Sequence, residues 1–477
     1  MKLLPFDFAI LNDDLRILVN PAGESCFLND KTFGILCNED YEWLPSSCLL
    51  ELKAKHFITE DENLPLTIEL LANKLRSRKA YLDSFTALHM IVVTLRCNCA
   101  CKYCHASSKG NNKDNLYDMD EETAYRTVDF IMQTPSKSIK IEFQGGEPML
   151  NYPIVEKIIL YAEKLNKKLK KELSFVICTN LLAISQEQIK FFYNHKVSIS
   201  TSCDGQKDLH DECRKSLISD SAYDSFFENM LQVRRICGKG EPSALLTITR
   251  RNISSIESII DLYRDLGFNN IFIRALNPYG YAVENKDELS YTVDEFIDAY
   301  DKALKYIINL NLQGSYFVEA YAAMLLQRIM TPFPTGFVDL QSPCGAGLLG
   351  AIYYYNGDVY PADEGRMLAA SGDKHFLMGN VKTSNYRDVF DGRVIKEPVK
   401  NSCVENMVGC SYCAYKQFCG ADPIRYYVEC GNIYGKRYAS DFCKKNQAII
   451  KILLRYVHEN DRNIMKVFWS WLTRKAL

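Results

Sequence analysis

The sequence predicts an α/β fold organised around a partial parallel barrel, and three observations carry that reading. Six short β-branched runs recur between residues 88 and 280: "MIVVTL", "SIKIEFQ", "SFVICTN", "VSISTS", "ALLTIT" and "NIFIRAL". Amphipathic stretches such as "MDEETAYRTVDFIMQT" and "ISSIESIIDLYRDLGF" lie between them, and strands alternating with helices in this way read as βα units of a parallel sheet. Directly after the first run, "CNCACKYC" crowds four cysteines into residues 97–104. That loop sits at a strand's C-terminal end, where parallel α/β folds build their sites.

Composition narrows the function classes. The 477 residues suffice for two or three domains at about 150 residues each. The 57 basic and 59 acidic residues leave a net charge of −2, so composition favours neither a nucleic-acid nor a membrane-surface partner. No apolar run approaches the ~20 residues of a membrane-spanning helix. The start, "MKLLPFDFAILND", is broken by Pro5 and Asp7 and reads as no signal peptide; a cytoplasmic location is expected. Eighteen cysteines then need a reason, because disulfides are disfavoured in a reducing compartment. Cys37, Cys178 and Cys237 lie in apolar surroundings and read as ordinary buried thiols. The clusters at 97–104 and 403–443 read as metal or iron–sulfur ligands.

Four regions follow along the chain. Residues 1–84 read as a winged-helix-like module: strands in "LRILVNPAGESCFL" around a turn, then helices near 30–37, 47–57 and 66–82. The barrel spans 85–330 and ends in "TVDEFIDAYDKALKYIINL", whose apolar positions repeat with helical period. Residues 331–450 are turn-rich and cysteine-rich, with a hairpin expected at Asn356-Gly357. Residues 451–477 read as a C-terminal helix whose aromatic stripe is core packing.

Cys97, Cys101 and Cys104 have the spacing C-x3-C-x2-C. Three thiolates on one loop hold three irons of a [4Fe–4S] cube and leave the fourth open to a ligand, whereas structural zinc prefers four closed protein ligands. Cys99 reads as a bystander, since its use would force adjacent thiolates together. C-x3-C-x-aromatic-C, with Tyr103 in the aromatic slot, resembles the signature of the radical S-adenosylmethionine (SAM) enzymes. The following strand ends in Gly145-Gly146-Glu147-Pro148, similar to that family's GGEP motif. The resemblance implies that Glu147 accepts from the methionine ammonium, while glycine lets the backbone approach closely. It also implies cofactor contacts by Asn180 (followed by Leu181 where the family often has glycine), Ser202 and Arg214, the last pairing with the methionine carboxylate. Asp204 is implied to lie on the substrate side.

"CSYCAYKQFC" supplies Cys410, Cys413 and Cys419, and Cys443 follows. The spacing alone admits zinc or an iron–sulfur cluster. The segment resembles the SPASM extension of peptide-modifying radical enzymes, which holds two auxiliary [4Fe–4S] clusters. It departs from that pattern where Ala362 and Pro423 stand at two cysteine positions of the first auxiliary cluster, with Cys344 left as a remnant. The first auxiliary cluster is therefore expected to be absent. The second is expected on Cys410, Cys413, Cys419 and Cys443, with Cys430 the rival for the fourth position.

Taken together, "LLPFDF", "LRSRKAYL", "IVVTLRCNCACKYC", "KIEFQGGEPMLNY", "LNPYGYAVE", "MTPFPTGFVDLQSPCG", "GDVYPADEGRML" and "FCGADP" resemble the His-Xaa-Ser system radical SAM maturases of type B, from residue 3 to about 445. The resemblance implies a (β/α)6 radical SAM barrel with SAM as cofactor. It implies a ribosomally made precursor peptide as substrate, with hydrogen abstracted at a side-chain Cβ and a cross-link or oxidation following. A flavodoxin or ferredoxin as electron donor and a second radical maturase are implied companions. The N-terminal module is similar to leader-peptide recognition domains. Two other readings stand beside this one: a sulfatase-type protein maturase, and a non-catalytic scaffold with zinc at both clusters.

Overall fold

The computed structural model describes residues 1–110 and 115–476. Its centre is a nine-stranded sheet. Six parallel segments stand in chain order: Leu88–Thr94, Ser138–Gly145, Glu172–Cys178, Val197–Ser202, Ser243–Thr247 and Ile273–Arg274. The sheet keeps two free edges, so the expected α/β partial-barrel class describes it.

Alternation decides which side chains face which way. In Ser138–Gly145, Ile139, Ile141 and Phe143 are buried, each contributing about 1.5–3 kcal/mol of apolar burial. They join the main core with Val128, Ile131, Val155 and Ile159 from the helices Glu121–Ile131 and Tyr152–Leu169. Lys140, Glu142 and Gln144 take the alternate positions. Local chemistry starts these helices: the Asp120 carboxylate accepts from the Thr123 N–H, and Thr292 with Glu295 forms a capping box on Val293–Leu312.

Three features depart from the expected outline. The sixth strand is split: Asn270–Ile271 pairs with Val318–Glu319, and only Ile273–Arg274 continues the barrel. The hairpin around Asn356-Gly357 forms, but it extends the barrel sheet instead of opening a separate sheet. Gly350–Tyr353 runs parallel to Leu88–Ile91, and Asp358–Tyr360 pairs back on it. The C-terminal helix is two helices, Asp441–Glu459 and Arg462–Thr473, with Asn460 at φ +50° between them; Val467, Phe468 and Trp471 pack into the core. Among the described residues no helix is long and apolar enough to cross a membrane.

The N-terminal module contains the expected strands Leu15–Val19 and Ser25–Asn29 and helices Asp30–Cys37, Ser46–Ala54 and Leu64–Arg78. A third strand, Asp7–Asn12, completes an antiparallel sheet. Its alternation is inverted at the surface, where Phe8 and Ile10 are half exposed or more, so apolar periodicity alone did not mark it. The module is tied to the rest of the chain: Asp7 pairs with Lys416 at 2.5 Å, and the Leu11 carbonyl accepts from Arg455 at 3.2 Å.

Candidate active site

The cysteine loop is a strand. Cys99–Cys101 pairs antiparallel with Arg214–Ser216, placing Arg214 opposite Cys101 and Ser216 opposite Cys99. Backbone bonds from Cys97 N–H to the Gly110 carbonyl (3.0 Å) and from Cys104 N–H to the Cys101 carbonyl (3.1 Å) fix its ends. Residues two apart on a strand share a face. The neighbouring Cys99 side chain holds the Cys101 thiol below its ordinary value against the effect of burial. Burial pushes the Cys97 and Cys104 thiols up.

Cys97, Cys99, Cys101 and Cys104 border a cavity of about 520 Å³ together with Tyr103, Gly145, Gly146, Glu147, Asn180, Ser202 and Arg214. That size falls within the roughly 300–1,000 Å³ of small-molecule sites. The glycines are there because the chain crosses itself: a Cβ on Gly146 would lie 2.2 Å from the Arg96 carbonyl oxygen, and one on Gly145, at φ +136°, 2.1 Å from that of Thr94. No side chain fits at either position. Among the described residues no three His, Cys, Asp or Glu side chains converge to share one ion. A four-iron cube makes no such demand, because it attaches each thiolate to a different iron. The loop's three thiols, backbone approach and adjoining cavity fit such a group.

The polar neighbours differ in their freedom. Glu147 is buried, and its carboxylate accepts from the Met149 N–H (3.0 Å), the Thr179 hydroxyl (2.7 Å) and the Asn180 N–H (2.8 Å). It therefore locks the second strand end to the third. Burial raises its pKa and those three donors oppose the rise. Pro148 is buried at the start of a helical turn, behind the wall. Asn180 donates to Asn98 at 2.7 Å and so ties the third strand end to the cysteine loop. Leu181, in the family's glycine slot, is buried at φ +58°, a conformation bulky residues rarely adopt.

Asp204 is fully buried and does not line the cavity. Its carboxylate accepts from Arg214 Nε at 2.6 Å and from the Tyr103 hydroxyl, while the Arg214 guanidinium stacks 5.2 Å from the Tyr103 ring centre. A buried guanidinium needs such a partner; Asp204 supplies it and sets the direction in which Arg214 faces the cavity.

Sequence reasoning missed four charged residues of the lining. Arg274, Asp339, Glu364 and Lys445 all face the cavity. Burial raises the pKa of Glu364 and Asp339, with neighbouring carboxylates adding to the rise at Glu364. Burial also lowers the pKa of Lys445, with Arg425 adding to the fall. Glu142 and Gln144 line the cavity too, and the period-2 alternation of "SIKIEFQ" was a usable signal for both. The other four come from four separate segments, and no spacing links them.

The second cysteine group assembles from two segments. The Gln447 side-chain amide lies 3.3 Å from the Cys443 sulfur and 3.8 Å from that of Cys413, and the Asn446 amide lies 3.9 Å from the Cys419 sulfur. Cys410 is close enough for its charge to raise the Cys413, Cys419 and Cys443 thiols, secondary to burial. Amide donors directed at three of four neighbouring sulfurs suit thiolates, which accept far better than thiols, so this donor set also fits an iron–sulfur group. Cys430 is exposed at a helix end. Cys344 packs with Ala346, Ala362, Phe376, Ile424 and Ile433 in an apolar cluster.

Comparison with known proteins bears on the fold that carries this site. Residues 91–296 match the Radical SAM superfamily. The "Cysteine-type anaerobic sulfatase-maturating enzyme" of Clostridium novyi is 22% identical over 336 residues, covering 68% of this chain and 83% of that protein. The structure "Native anSMEcpe with bound AdoMet and Cp18Cys peptide" superposes with a TM-score of 0.65 at 18% identity, covering 81% of this chain and 99% of the other. Streptococcus suis SuiB bound to precursor peptide SuiA gives 0.52 at 13% identity, covering 92% and 98%. At these identities the structural likenesses establish the fold.

Proposed function

Because the chain carries a radical SAM domain, we propose that it is a peptide maturase that modifies a ribosomally made precursor of the His-Xaa-Ser type by hydrogen abstraction at a side-chain Cβ. The observation that carries this reading is the single cavity joining the cysteine ribbon to a polar wall. The thiols, Gly145-Gly146 and Arg214 border the same cavity as Arg274, Asp339, Glu364 and Lys445. The name of the Clostridium novyi relative and the peptide-bound state of the Streptococcus suis structure support a peptide or protein substrate.

In this reading Cys97, Cys101 and Cys104 hold a [4Fe–4S] group, and Cys99 stabilises the charge on Cys101 without binding iron. Held there, the group would supply, with S-adenosylmethionine, the radical chemistry of the site, which these residues themselves do not provide. Arg214, buttressed by Asp204 and Tyr103, holds the methionine carboxylate as a charge-assisted pair. The strand ends fix the adenosyl portion with Asn180 and Ser202, and the cavity excludes water. The wall of Arg274 and Lys445 with Asp339 and Glu364 orients a polar substrate side chain and receives its proton. Cys410, Cys413, Cys419 and Cys443 would hold a second cluster, able to take up the one electron left once a hydrogen atom and a proton have gone from the substrate. The first auxiliary cluster of SPASM relatives is absent, as the apolar packing around Cys344 supports.

The N-terminal module takes the leader segment of the substrate. Exposed Phe8 and Ile10 offer an apolar face beside a sheet edge to which an extended peptide adds as a strand; the Arg455 bond to Leu11 has to yield to it. Residues 1–84, 85–330, 331–450 and 451–477 are the corresponding functional units.

Mass spectrometry of a neighbouring precursor peptide co-expressed with this chain tests the proposal. Loss of two hydrogens per repeat supports it, and an unmodified peptide beside an active, iron-loaded enzyme removes it. Conversion instead of a Cys or Ser on a sulfatase fragment establishes the sulfatase-type reading, which the names of curated relatives favour. A colourless protein that forms no 5′-deoxyadenosine under reducing conditions establishes the zinc scaffold.

A further inference from the structure

Helix Asp441–Glu459 borders both sites. Its first turns carry Cys443, Asn446 and Gln447 toward the auxiliary sulfurs, while Lys445 faces the reaction cavity. Asn446 is the notable member, because it is fully buried and its two amide ends point to different sites. Its carbonyl accepts from the Tyr321 hydroxyl at 2.7 Å, and its N–H group donates to the Cys419 sulfur at 3.9 Å. Tyr321 itself lines the cavity.

A buried amide left without partners is costly. A neutral thiol is a weak acceptor, so this placement is favourable when Cys419 is a metal-bound thiolate. Hydrogen bonds to cluster sulfurs are among the determinants of reduction potential, because they stabilise the more negative, reduced state. A hydroxyl donating to the amide carbonyl polarises the amide and strengthens its N–H as a donor.

We propose that Asn446 is a positioning residue that sets the reduction potential of the iron–sulfur group held by Cys410, Cys413, Cys419 and Cys443, and that Tyr321 carries this setting to the wall of the reaction cavity. The inference rests on the reading of those four cysteines as cluster ligands. It places two hydrogen bonds between the surface a substrate touches and a ligand of the auxiliary group.

The test uses the full chain with Cys97, Cys101 and Cys104 replaced by alanine, so that all iron signals come from the auxiliary group. Its midpoint potential is followed by electron paramagnetic resonance during a redox titration. Asn446→Leu lowers the potential, and Tyr321→Phe, which keeps the ring and removes the hydroxyl, lowers it by a smaller amount. Unchanged potentials in both variants at full iron content overturn the proposal. Should Asn446→Leu fail to fold, Tyr321→Phe decides alone, and an unmoved potential overturns it. A parent protein without auxiliary iron removes this inference together with the ligand assignment. Retained iron with an unmoved potential removes the inference only.

Discussion

The two cysteine groups solve different problems. In the first, Cys97, Cys101 and Cys104 lie within one eight-residue segment whose strand Cys99–Cys101 is pinned by Arg214–Ser216, and all three border the cavity. In the second, Cys410, Cys413 and Cys419 come from a turn-rich segment, Cys443 comes from a helix, and amides of Asn446 and Gln447 close over the sulfurs. The first arrangement leaves one side free for a ligand, while the second surrounds its sulfurs with protein donors. Openness to ligand, more than the number of thiols, separates a reactive site from an electronic one.

The comparison breaks most visibly at the ligands themselves. Alanine at Cys97, Cys101 or Cys104 is expected to abolish 5′-deoxyadenosine formation by about three orders of magnitude or more, because a missing ligand leaves no competent site. Cys99→Ser is expected to retain it, and chromatography of the nucleoside product checks both. At the second group, Cys443→Ala is expected to lower iron from about eight to about four per chain while nucleoside formation continues and peptide product is lost. Cys430→Ala is expected to change neither quantity. A content near twelve in the parent chain would contradict the absence of a first auxiliary cluster.

A smaller effect probes the support behind the open site. Asp204→Asn keeps the shape but leaves Arg214 with a neutral partner, and is expected to weaken S-adenosylmethionine binding about tenfold, or about 1.4 kcal/mol. Equilibrium dialysis measures it. Cavity-wall charge gives the smallest effect. Burial raises the Glu364 pKa, so the folded chain binds a proton there that the unfolded chain has released. Stability contributed by the protonated form is complete below the unfolded value near 4.5 and declines as pH rises through the folded value. Glu364→Gln is expected to flatten that decline by about 1 kcal/mol, read from thermal unfolding at pH 6 and pH 8.

Much of this was legible in the sequence, for local reasons. Alternating βα patterning marks the barrel strands, because buried parallel strands need β-branched runs. The cysteine spacing and Gly145-Gly146 mark the loop, because close chain crossing demands glycine. The role of Asp204 was not legible: a strand-end carboxylate looks the same in sequence whether it faces substrate or a buried arginine. Arg274, Asp339, Glu364 and Lys445 escaped notice because tertiary packing alone brings them together. Strand Asp7–Asn12 escaped because its largest apolar residues, Phe8 and Ile10, face outward while Ala9 and Leu11 face the core.

The central claim is that the Cys97–Cys101–Cys104 site accepts S-adenosylmethionine directly at its metal group. Electron paramagnetic resonance of the reduced, reconstituted chain before and after adding the nucleotide tests it most directly. An altered signal is expected in the parent, with no such change once Cys97, Cys101 and Cys104 are alanine. A parent spectrum indifferent to the nucleotide would contradict it.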